Sequence, residues 1–258
     1  MPINLKLQSL RVLVRQNSKS IIDYIIKNHI SLNKPRDNYK ICMFCGSLGN
    51  ITKEHVLPRW VFEGDPDKFF VTDVNGLGQT YNRTIIPACV NCNSNLLNSL
   101  ESYIYELLDG IDISKMPFSI EEKESIIRWL EIIDYKFQIL DVVRVFKTSK
   151  KTGYIPFLSN YPISVLRANV DYSPTKVISQ IRLSQKRITI KRKDINFNSL
   201  VTFKSSNSGF NFFHQMNDFI FLELPKQHVA FFYFYQKTFS KEKLAYEEAM
   251  KVIKQFYN

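Results

Sequence analysis

Long hydrophobic runs are absent from this sequence. No stretch approaches the roughly 20 consecutive apolar residues that a helix needs to cross a bilayer, so we expect no membrane span and no membrane partner. The N-terminus also lacks the unbroken apolar core and the small-residue cleavage site of a secretory signal. These two absences predict a cytoplasmic protein whose thiols stay reduced.

Acidic residues are scarce in one segment of a basic chain. The formal net charge is +11, which predicts an anionic partner. Residues 1–112 hold 12 Lys/Arg and 11 Asp/Glu, a net of +1, whereas residues 113–258 hold 23 and 13, a net of +10. Residues 143–193 contain 12 basic residues and a single acid, Asp171. This segregation favours a surface that binds nucleic acid, although a solvated face is the plain alternative.

Apolar residues, by contrast, are plentiful. Of the 258 residues, 45% are hydrophobic, which is enough to fill the core of one large domain or two small ones. The pattern predicts an α+β protein in three parts. Residues 1–34 form two short amphipathic helices, residues 35–112 form a cysteine-bearing module, and residues 113–258 form a basic α+β region that grips nucleic acid or presents a surface to a partner.

The elements of the second and third parts follow from periodicity and capping signals. Helices are predicted over residues 96–108 and 119–146, the second with Ser119 as its N-cap. From Pro162 onward the period falls towards two, which predicts an antiparallel sheet. Its expected strands are residues 177–183, 187–191, 219–224 and 229–235. A closing helix is expected over residues 240–257.

Cysteine is also rare, and all four cysteines fall into two CxxC pairs, Cys42 with Cys45 and Cys89 with Cys92. In a reducing compartment such pairs predict metal ligands rather than disulfides. Each pair presents two thiolates from one tight turn, and the two pairs complete a tetrahedral site for a structural zinc. Zinc alone implies no catalysis, because binding modules use the same thiolates simply to fold.

An acid-histidine pair lies between the two cysteine pairs. The segment reads Thr-Lys-Glu-His-Val-Leu-Pro-Arg-Trp over residues 52–60, and Asn93 follows the second pair at the start of a helix. This arrangement, over residues 39–101, resembles the HNH endonucleases, also called ββα-metal or His-Me finger nucleases, in their zinc-bearing branch with two CxxC pairs. The resemblance implies a zinc-stapled ββα module and metal-dependent hydrolysis of phosphodiester bonds.

The resemblance also implies a role for each residue of the motif. Glu54 and Asn93 would hold a catalytic Mg²⁺ or Mn²⁺, and His55 would be the general base that activates water. The chemistry agrees, since a neutral imidazole accepts a proton near physiological pH and hard cations prefer oxygen ligands. Because adjacent side chains on a strand point to opposite faces, we expect a bulge or bend at Glu54 and His55.

Two positions depart from the family pattern. The acid of the pair is usually Asp, whereas Glu54 is one methylene longer, which permits a ligand and alters the metal preference. The middle Asn of the family orients the histidine from the loop before the second CxxC. It aligns most simply with Thr84 here, with Asn82 as the nearest alternative, and the sequence leaves open which of them orients His55.

Basic residues supply the candidate contacts with nucleic acid. Arg59 and Arg83 lie close in sequence to the proposed centre and are expected to hold phosphates. The stronger grip is expected from Arg182, Lys186, Arg187, Lys191, Arg192 and Lys193. DNA is favoured over RNA, and the N-terminal helices or the C-terminal region could also bind a protein partner.

The sequence therefore predicts a metal-dependent endonuclease that cuts DNA, with defence against foreign DNA as the first guess at its role and restriction or homing as other roles. A second class of function stays open. In that alternative the chain is a catalytically silent, zinc-supported module that binds nucleic acid or a protein. Replacing Glu54 and His55 separates the two, because only an enzyme loses activity.

Overall fold

The structure is a computed structural model, and it describes residues 3–31, 35–62, 70–71, 78–79, 84–109, 118–145 and 174–256. Its fold is mixed α+β, as the sequence predicts, with five α-helices and antiparallel ladders in these ranges. None of the helices described has both the length and the hydrophobicity needed to span a bilayer. One large cluster of buried apolar side chains runs through the helices and the two main ladders, so these elements share a core.

The N-terminal helix, α1 (Ile3–Ile25), is continuous and ends in a π-helical turn (Ile26–Ile30). Its buried stripe consists of Leu7, Leu10, Val14, Ile21, Ile22 and Ile25. The prediction of two short helices was therefore wrong. The polar residues at the expected break stay helical because their side chains bond to the preceding turn, Asn17 Nδ2 donating to Leu13 O at 2.9 Å and Ser20 Oγ donating to Asn17 O at 2.9 Å.

Four strands and a helix follow, and the first strand, the last strand and the helix stand in the order of a ββα unit. The strands of this part are β1 (Ile51–His55), β2 (Phe70–Val71), β3 (Gly78–Gln79) and β4 (Ile85–Cys89). β1 pairs with β4, and β2 pairs with β3, both antiparallel. Directly after β4 the chain enters a π-helical segment (Asn91–Leu97) that continues as α2 (Asn98–Leu108), which confirms the helix predicted there.

The central helix, α3 (Ile120–Val145), is buried on nearly all sides. It begins in the predicted way, with a reciprocal cap. Ser119 Oγ accepts from Glu122 N at 3.2 Å, and the Glu122 carboxylate accepts from Ser119 N at 2.6 Å. Trp129 stacks on Trp60, with ring centroids 5.7 Å apart, so α3 packs directly against the chain that follows β1.

Residues 174–189 form a helix, α4 (Pro174–Thr189), where the sequence predicted strands over residues 177–183 and 187–191. That strand prediction was wrong. The buried positions recur at helical spacing: Val177, Ile178, Ile181, Ser184, Gln185 and Ile188. Over so few residues the apolar pattern fits a period of two as well as 3.6, and packing against α1 and α3 decides between them.

An antiparallel sheet closes the fold. Its strands are β5 (Leu200–Lys204), β6 (Phe212–Gln215), β7 (Phe219–Leu224) and β8 (Val229–Phe234), in the order β5-β8-β7-β6. The strands predicted over residues 219–224 and 229–235 are confirmed, and a 3₁₀ turn at Pro225–Gln227 joins them. The predicted closing helix is also confirmed as α5 (Glu242–Phe256), which covers one face of the sheet. β5 and β6 were not predicted.

A buried polar cluster joins α3, α4 and the sheet. The carboxylate of Asp134 accepts from His214 Nε2 at 2.9 Å and from Asn217 N at 3.0 Å, and it pairs with the guanidinium of Arg187. Burial acts to raise the pKa of Asp134, but Arg187 and the hydrogen bonds outweigh it and lower that pKa. Removing one partner of such a buried pair costs on the order of 3–5 kcal/mol, so the cluster fixes the two helices against the sheet.

Candidate active site

The four cysteines meet in one cluster. Their Sγ atoms all lie within 4.8 Å of one another, and those of Cys45 and Cys89 are 3.6 Å apart. A tetrahedral zinc with bonds of about 2.3 Å separates its sulfur ligands by about 3.8 Å, which matches this spacing. None of the four forms a disulfide. The cluster of Cys42, Cys45, Cys89 and Cys92 could therefore hold a metal ion such as zinc.

The thiols of this cluster differ in proton affinity. A hydrogen bond from Cys92 lowers the pKa of Cys42 to about 5, whereas burial raises the pKa of Cys45 to about 12. The pKa of Cys92 is also raised, first because its thiol proton bonds to Cys42. Crowded thiolates repel one another, so all four cannot ionise together without a cation. A divalent metal supplies that charge and keeps its thiol ligands deprotonated.

Local backbone geometry delivers the two cysteine pairs to one point. After the first pair, Gly46 takes the left-handed conformation with a φ of 70° and donates its N–H to Cys42 O at 2.9 Å. A Cβ at Gly46 would lie 3.3 Å from Ser20 Oγ on α1, so glycine suits both the turn and the packing. The second pair spans the junction where β4 becomes helix, with Cys89 on the strand and Cys92 in the first helical turn.

A cleft of about 590 Å³ opens over the end of β1. Glu54, His55 and Asn93 all line it, so the three residues to which the family resemblance gives catalytic roles face one cavity. Lys53 and Arg59 are exposed and also line this cleft. The structure therefore brings together an acid, an imidazole, an amide and two basic residues.

The expected bulge is not present in the β1–β4 ladder. β1 keeps a one-to-one register with β4 through His55, with Glu54 buried and His55 half-buried. Both side chains nevertheless line the cleft because the strand ends at His55, and the chain then leaves the ladder towards the 3₁₀ turn at Arg59–Phe62. The end of the strand thus allows both side chains to face the cleft, which is the effect that a bulge was expected to have.

Lys136 of α3 holds one side of this site. Its fully buried ammonium donates to Glu54 Oε1, to Glu101 Oε1 at 3.0 Å and to His55 O at 3.0 Å. These three bonds use all three N–H groups of the ammonium. Glu54 Oε2 has no hydrogen-bond partner in the part of the chain that the structure describes, which leaves this oxygen available to a ligand in the cleft.

The side chains of Lys136, Glu54 and Glu101 form a charged network. Burial disfavours the ammonium of Lys136, but the carboxylates of Glu101 and Glu54 outweigh burial and raise its pKa. Burial raises the pKa of Glu101, with Lys136 acting against that rise. One ammonium thus faces two carboxylates in this network, while Lys53 and Arg59 also line the cleft, so groups of both signs meet there.

Asn93 presents its amide oxygen to the cleft. Its Nδ2 donates to Thr52 Oγ1 at 2.9 Å and to Lys53 O at 3.3 Å. The Thr52 hydroxyl already donates to Ala88 O at 2.9 Å, and a carbonyl can only accept, so the amide atom facing β1 must be the NH₂ group. Asn93 Oδ1 has no partner among the described residues and is free to bind a cation.

His55 carries a lowered pKa. Burial is the largest cause, and the positive charges of Lys136 and Arg59 act in the same direction from an ordinary value of 6.5. The imidazole is therefore neutral at physiological pH, and a neutral imidazole has a nitrogen lone pair that can accept a proton. The environment of His55 thus favours the protonation state that a general base requires.

The residues proposed to orient His55 are only partly described. Thr84 is buried beside the end of β1, and its carbonyl oxygen accepts from Val56 N at 2.8 Å. This bond holds Thr84 next to the strand position that follows His55. Asn82 and the candidate phosphate ligand Arg83 lie outside the described residues. Thr84 stays our candidate for the orienting role.

The predicted nucleic-acid residues of the C-terminal region differ in exposure. The exposed members are Arg182, Lys186, Lys191, Arg192 and Lys193. Arg187 is instead buried and paired with Asp134, so its place on an exposed strand was wrong and a phosphate cannot reach it without opening the α3–α4 contact. Arg192 pairs with Glu121 at 2.5 Å and with Glu124 at 3.2 Å, which offsets its charge.

Lys136 was not predicted from the sequence as part of the site. It lies 82 positions from Glu54, in the region assigned to nucleic-acid binding rather than to the nuclease module. The sequence signal that could have indicated this role is the set of residues around Lys136. A lysine between Tyr135 and Phe137, in a helix whose apolar residues are distributed around all of its faces, predicts a buried charge that needs carboxylate partners.

Neither a family model, nor a curated protein, nor a solved structure matches this chain. The functional conclusion is therefore drawn from the chemistry of the cleft. It contains a neutral imidazole together with carboxylate and amide oxygens, those of Glu54 and Asn93 among them, and Asn93 directly follows Cys92 of the cysteine cluster. A proton acceptor and oxygen ligands for a hard cation are the groups that hydrolysis of a phosphate ester uses.

Proposed function

We propose that this chain is a metal-dependent HNH-type endonuclease that hydrolyses phosphodiester bonds in DNA. The observation that carries the proposal is the convergence of Glu54, His55 and Asn93 on one cleft. These residues come from a strand end and from the start of a helix, and each offers the atom that its proposed role needs. The cysteine cluster joins the turn that precedes β1 to the end of β4 and to the helix start that carries Asn93.

His55 is the general base in this proposal. Its neutral imidazole accepts a proton from a water molecule, and the resulting hydroxide attacks the phosphorus atom in line with the leaving oxygen. The bond from phosphorus to that oxygen breaks, and the leaving oxygen takes up a proton from solvent. Lys136 supports this step by bonding to His55 O, which fixes the backbone from which the imidazole projects.

Glu54 Oε2 and Asn93 Oδ1 are the oxygens that would hold a divalent cation, Mg²⁺ or Mn²⁺. When bound, the cation neutralises charge on the scissile phosphate and on the leaving oxygen. Lys136 fixes the Glu54 carboxylate through Oε1, and the same ammonium donates to Glu101. We assign zinc to the cysteine cluster, where it holds the end of β4 and the following helix in place.

A silent, zinc-supported binding module is the second candidate, and one specific observation favours it. The ammonium of Lys136 already neutralises Glu54, which is the pairing expected of a purely structural carboxylate. The two candidates differ in whether Oε2 and Asn93 Oδ1 bind a metal. Metal-dependent turnover separates them, because a silent module binds nucleic acid and leaves it intact.

The direct test incubates purified, zinc-loaded protein with supercoiled plasmid, linear duplex DNA, single-stranded DNA and RNA, each with Mg²⁺ or Mn²⁺. We expect nicking or cutting of DNA that stops when divalent metal is omitted. Intact substrates under every condition would reject the endonuclease and leave the silent module. Cleavage of RNA alone would retain the chemistry and reject DNA as the substrate.

We predict that Asn93→Ala raises the Mg²⁺ concentration needed for half-maximal cleavage, because it deletes one of few protein oxygens in the site. Glu54→Gln is expected to act in the same direction, and Mn²⁺ in excess should restore rate to both variants. Titration of the initial rate with metal measures the effect. Asn95→Ala is the matched control, since Asn95 is exposed on the same helix. An unchanged metal requirement in Asn93→Ala contradicts the ligand assignment.

A second prediction concerns pH. Only the neutral form of His55 accepts a proton, so the cleavage rate should rise with pH through the pKa of His55 and then level off. Because burial, Lys136 and Arg59 lower that pKa, the neutral form persists to lower pH, and the acid limb should lie below the ordinary value of 6.5. A pH-rate profile at saturating substrate and metal measures it. An acid limb above the ordinary value would argue against His55 as the base.

A further inference from the structure

A groove of about 300 Å³ lies between α1 and α4. Among the described residues that line it, four are basic, Arg15 and Lys19 from α1 and Arg182 and Lys186 from α4, and none is acidic. All four basic residues are exposed. The contribution of α1 could not be foreseen from the sequence, in which residues 1–112 are almost neutral in sum.

The four cations form two rows, one on each helix and each about one helical turn long. Arg15 and Lys19 are four positions apart on α1, and Arg182 and Lys186 are four positions apart on α4, so each pair shares one face of its helix. Like charges at this spacing repel one another and weakly destabilise a helix. Packing brings both rows to one groove, which adds repulsion between them, and an anion in the groove would relieve it.

The charges of this groove are not neutralised by the protein. Within the described ranges, Lys19, Arg182 and Lys186 form no ion pair with a carboxylate, in contrast to the paired Arg192 nearby. Arg15 donates one guanidinium N–H group to Thr189 O at 2.7 Å, which holds its remaining N–H groups at the rim. Polar side chains between the rows offer further hydrogen bonds: Ser18, Gln185 and Thr189.

We propose that the α1–α4 groove binds the phosphate backbone of duplex DNA. Each row of cations spans about 6 Å along its helix, and a DNA strand carries one charge per about 3.4 Å of axis, so each row can face about two phosphates. Two rows suit a polymer of phosphates better than a single small anion. The choice of DNA as the polymer rests on the proposed function, whereas the requirement for a polyanion rests on the groove alone.

The test neutralises three of the cations together, as Lys19→Gln, Arg182→Gln and Lys186→Gln, and leaves Arg15 because it bonds to the backbone of α4. Binding to a fluorescent DNA duplex is measured by anisotropy over a range of salt concentrations, without added divalent metal, so that no cleavage is needed. We expect at least about a 10-fold loss of affinity and a salt slope that is shallower by about 2 to 3, since each phosphate contact contributes about 0.9.

The matched control removes the same charge from another surface, as Lys241→Gln, Lys243→Gln and Lys254→Gln, all of which are exposed at or near α5. Its salt slope should equal that of the unmodified protein. Equal losses in both triple variants would overturn the proposal, because net charge rather than the groove would then set affinity. If the groove variant melts early, Lys186→Gln alone replaces it, with an expected change in slope of about 0.9.

Competition identifies the occupant and keeps this proposal separate from the nuclease. Unlabelled duplex DNA should displace the probe, whereas preferential displacement by duplex RNA or by an acidic peptide would overturn the choice of DNA. His55→Ala should bind as tightly as the unmodified protein. If the groove variant loses DNA binding and the wild-type protein cleaves no substrate, the nuclease proposal is rejected and the groove proposal is retained. If the groove variant binds DNA normally and the wild-type protein cleaves it, the groove proposal is rejected and the nuclease proposal is retained.

Discussion

His55→Ala should lower the rate of DNA cleavage by about 10²-fold or more while leaving DNA affinity and zinc content unchanged. The variant removes the proton acceptor but neither the oxygen ligands nor the thiols. Its backbone carbonyl, which accepts from Lys136 at 3.0 Å, is retained, so the Glu54 carboxylate keeps its place. Single-turnover rates at saturating metal measure the loss, and excess Mn²⁺ should not reverse it.

A matched control comes from the exposed histidine outside the cleft. His228 has a φ of 53°, a left-handed conformation that asparagine tolerates better than alanine, so His228→Asn is the appropriate substitution. It should cleave DNA at the wild-type rate. If His55→Ala cleaves DNA at the wild-type rate, the assignment of His55 as the general base is rejected, even if Asn93→Ala shows the expected metal dependence.

Cys89→Ser should release the zinc and unfold the cysteine module. Apparent binding energies of structural zinc sites are about 10–16 kcal/mol, whereas whole domains are stable by only about 5–15 kcal/mol, so losing a thiolate from the cluster exceeds what packing alone can compensate. Cys89 both ends β4 and contributes to the cluster, so its replacement disconnects the strand that pairs with β1. Metal analysis and thermal melting measure the two effects.

Reversible metal removal provides the comparison for that variant. Wild-type protein stripped by a chelator should melt like Cys89→Ser and should recover its melting temperature on addition of Zn²⁺, which the variant should not do. A stripped protein that keeps its fold would show that the four buried or half-buried cysteines pack without metal. A fully folded and active Cys89→Ser would refute the structural role.

Local signals made most of the candidate site predictable. Each CxxC pair is one tight turn, and the acid-histidine pair and Asn93 are each fixed to a neighbouring cysteine turn by a few residues of chain. The Ser119 cap and the strands of the β7–β8 pair were likewise recoverable, because capping and alternation are properties of short segments. Each of these features is encoded within a segment of about ten residues, so it can be recognised without knowledge of distant contacts.

The remainder depended on contacts between distant segments. Around Val177 the same apolar residues fit a strand or a helix, and only the packing of α4 on α1 and α3 resolved the period. Arg187 was predicted to bind nucleic acid from a basic strand, because its buried partner Asp134 lies 53 positions away in the sequence. Lys136 could not be assigned to the site because its partners, Glu54 and Glu101, precede it by 82 and 35 positions.

The position of Lys136 bears on how this protein can be divided or recombined. Asp134, two positions before Lys136, bonds to Arg187 and His214, so a stretch of three residues of α3 contacts both Glu54 in the cleft and the C-terminal sheet. Residues 35–112 are therefore not expected to fold correctly when they are separated from α3. Grafted onto another scaffold, they would carry two buried carboxylates without the cation that neutralises them, and a homologous exchange must transfer α3 along with the cysteines.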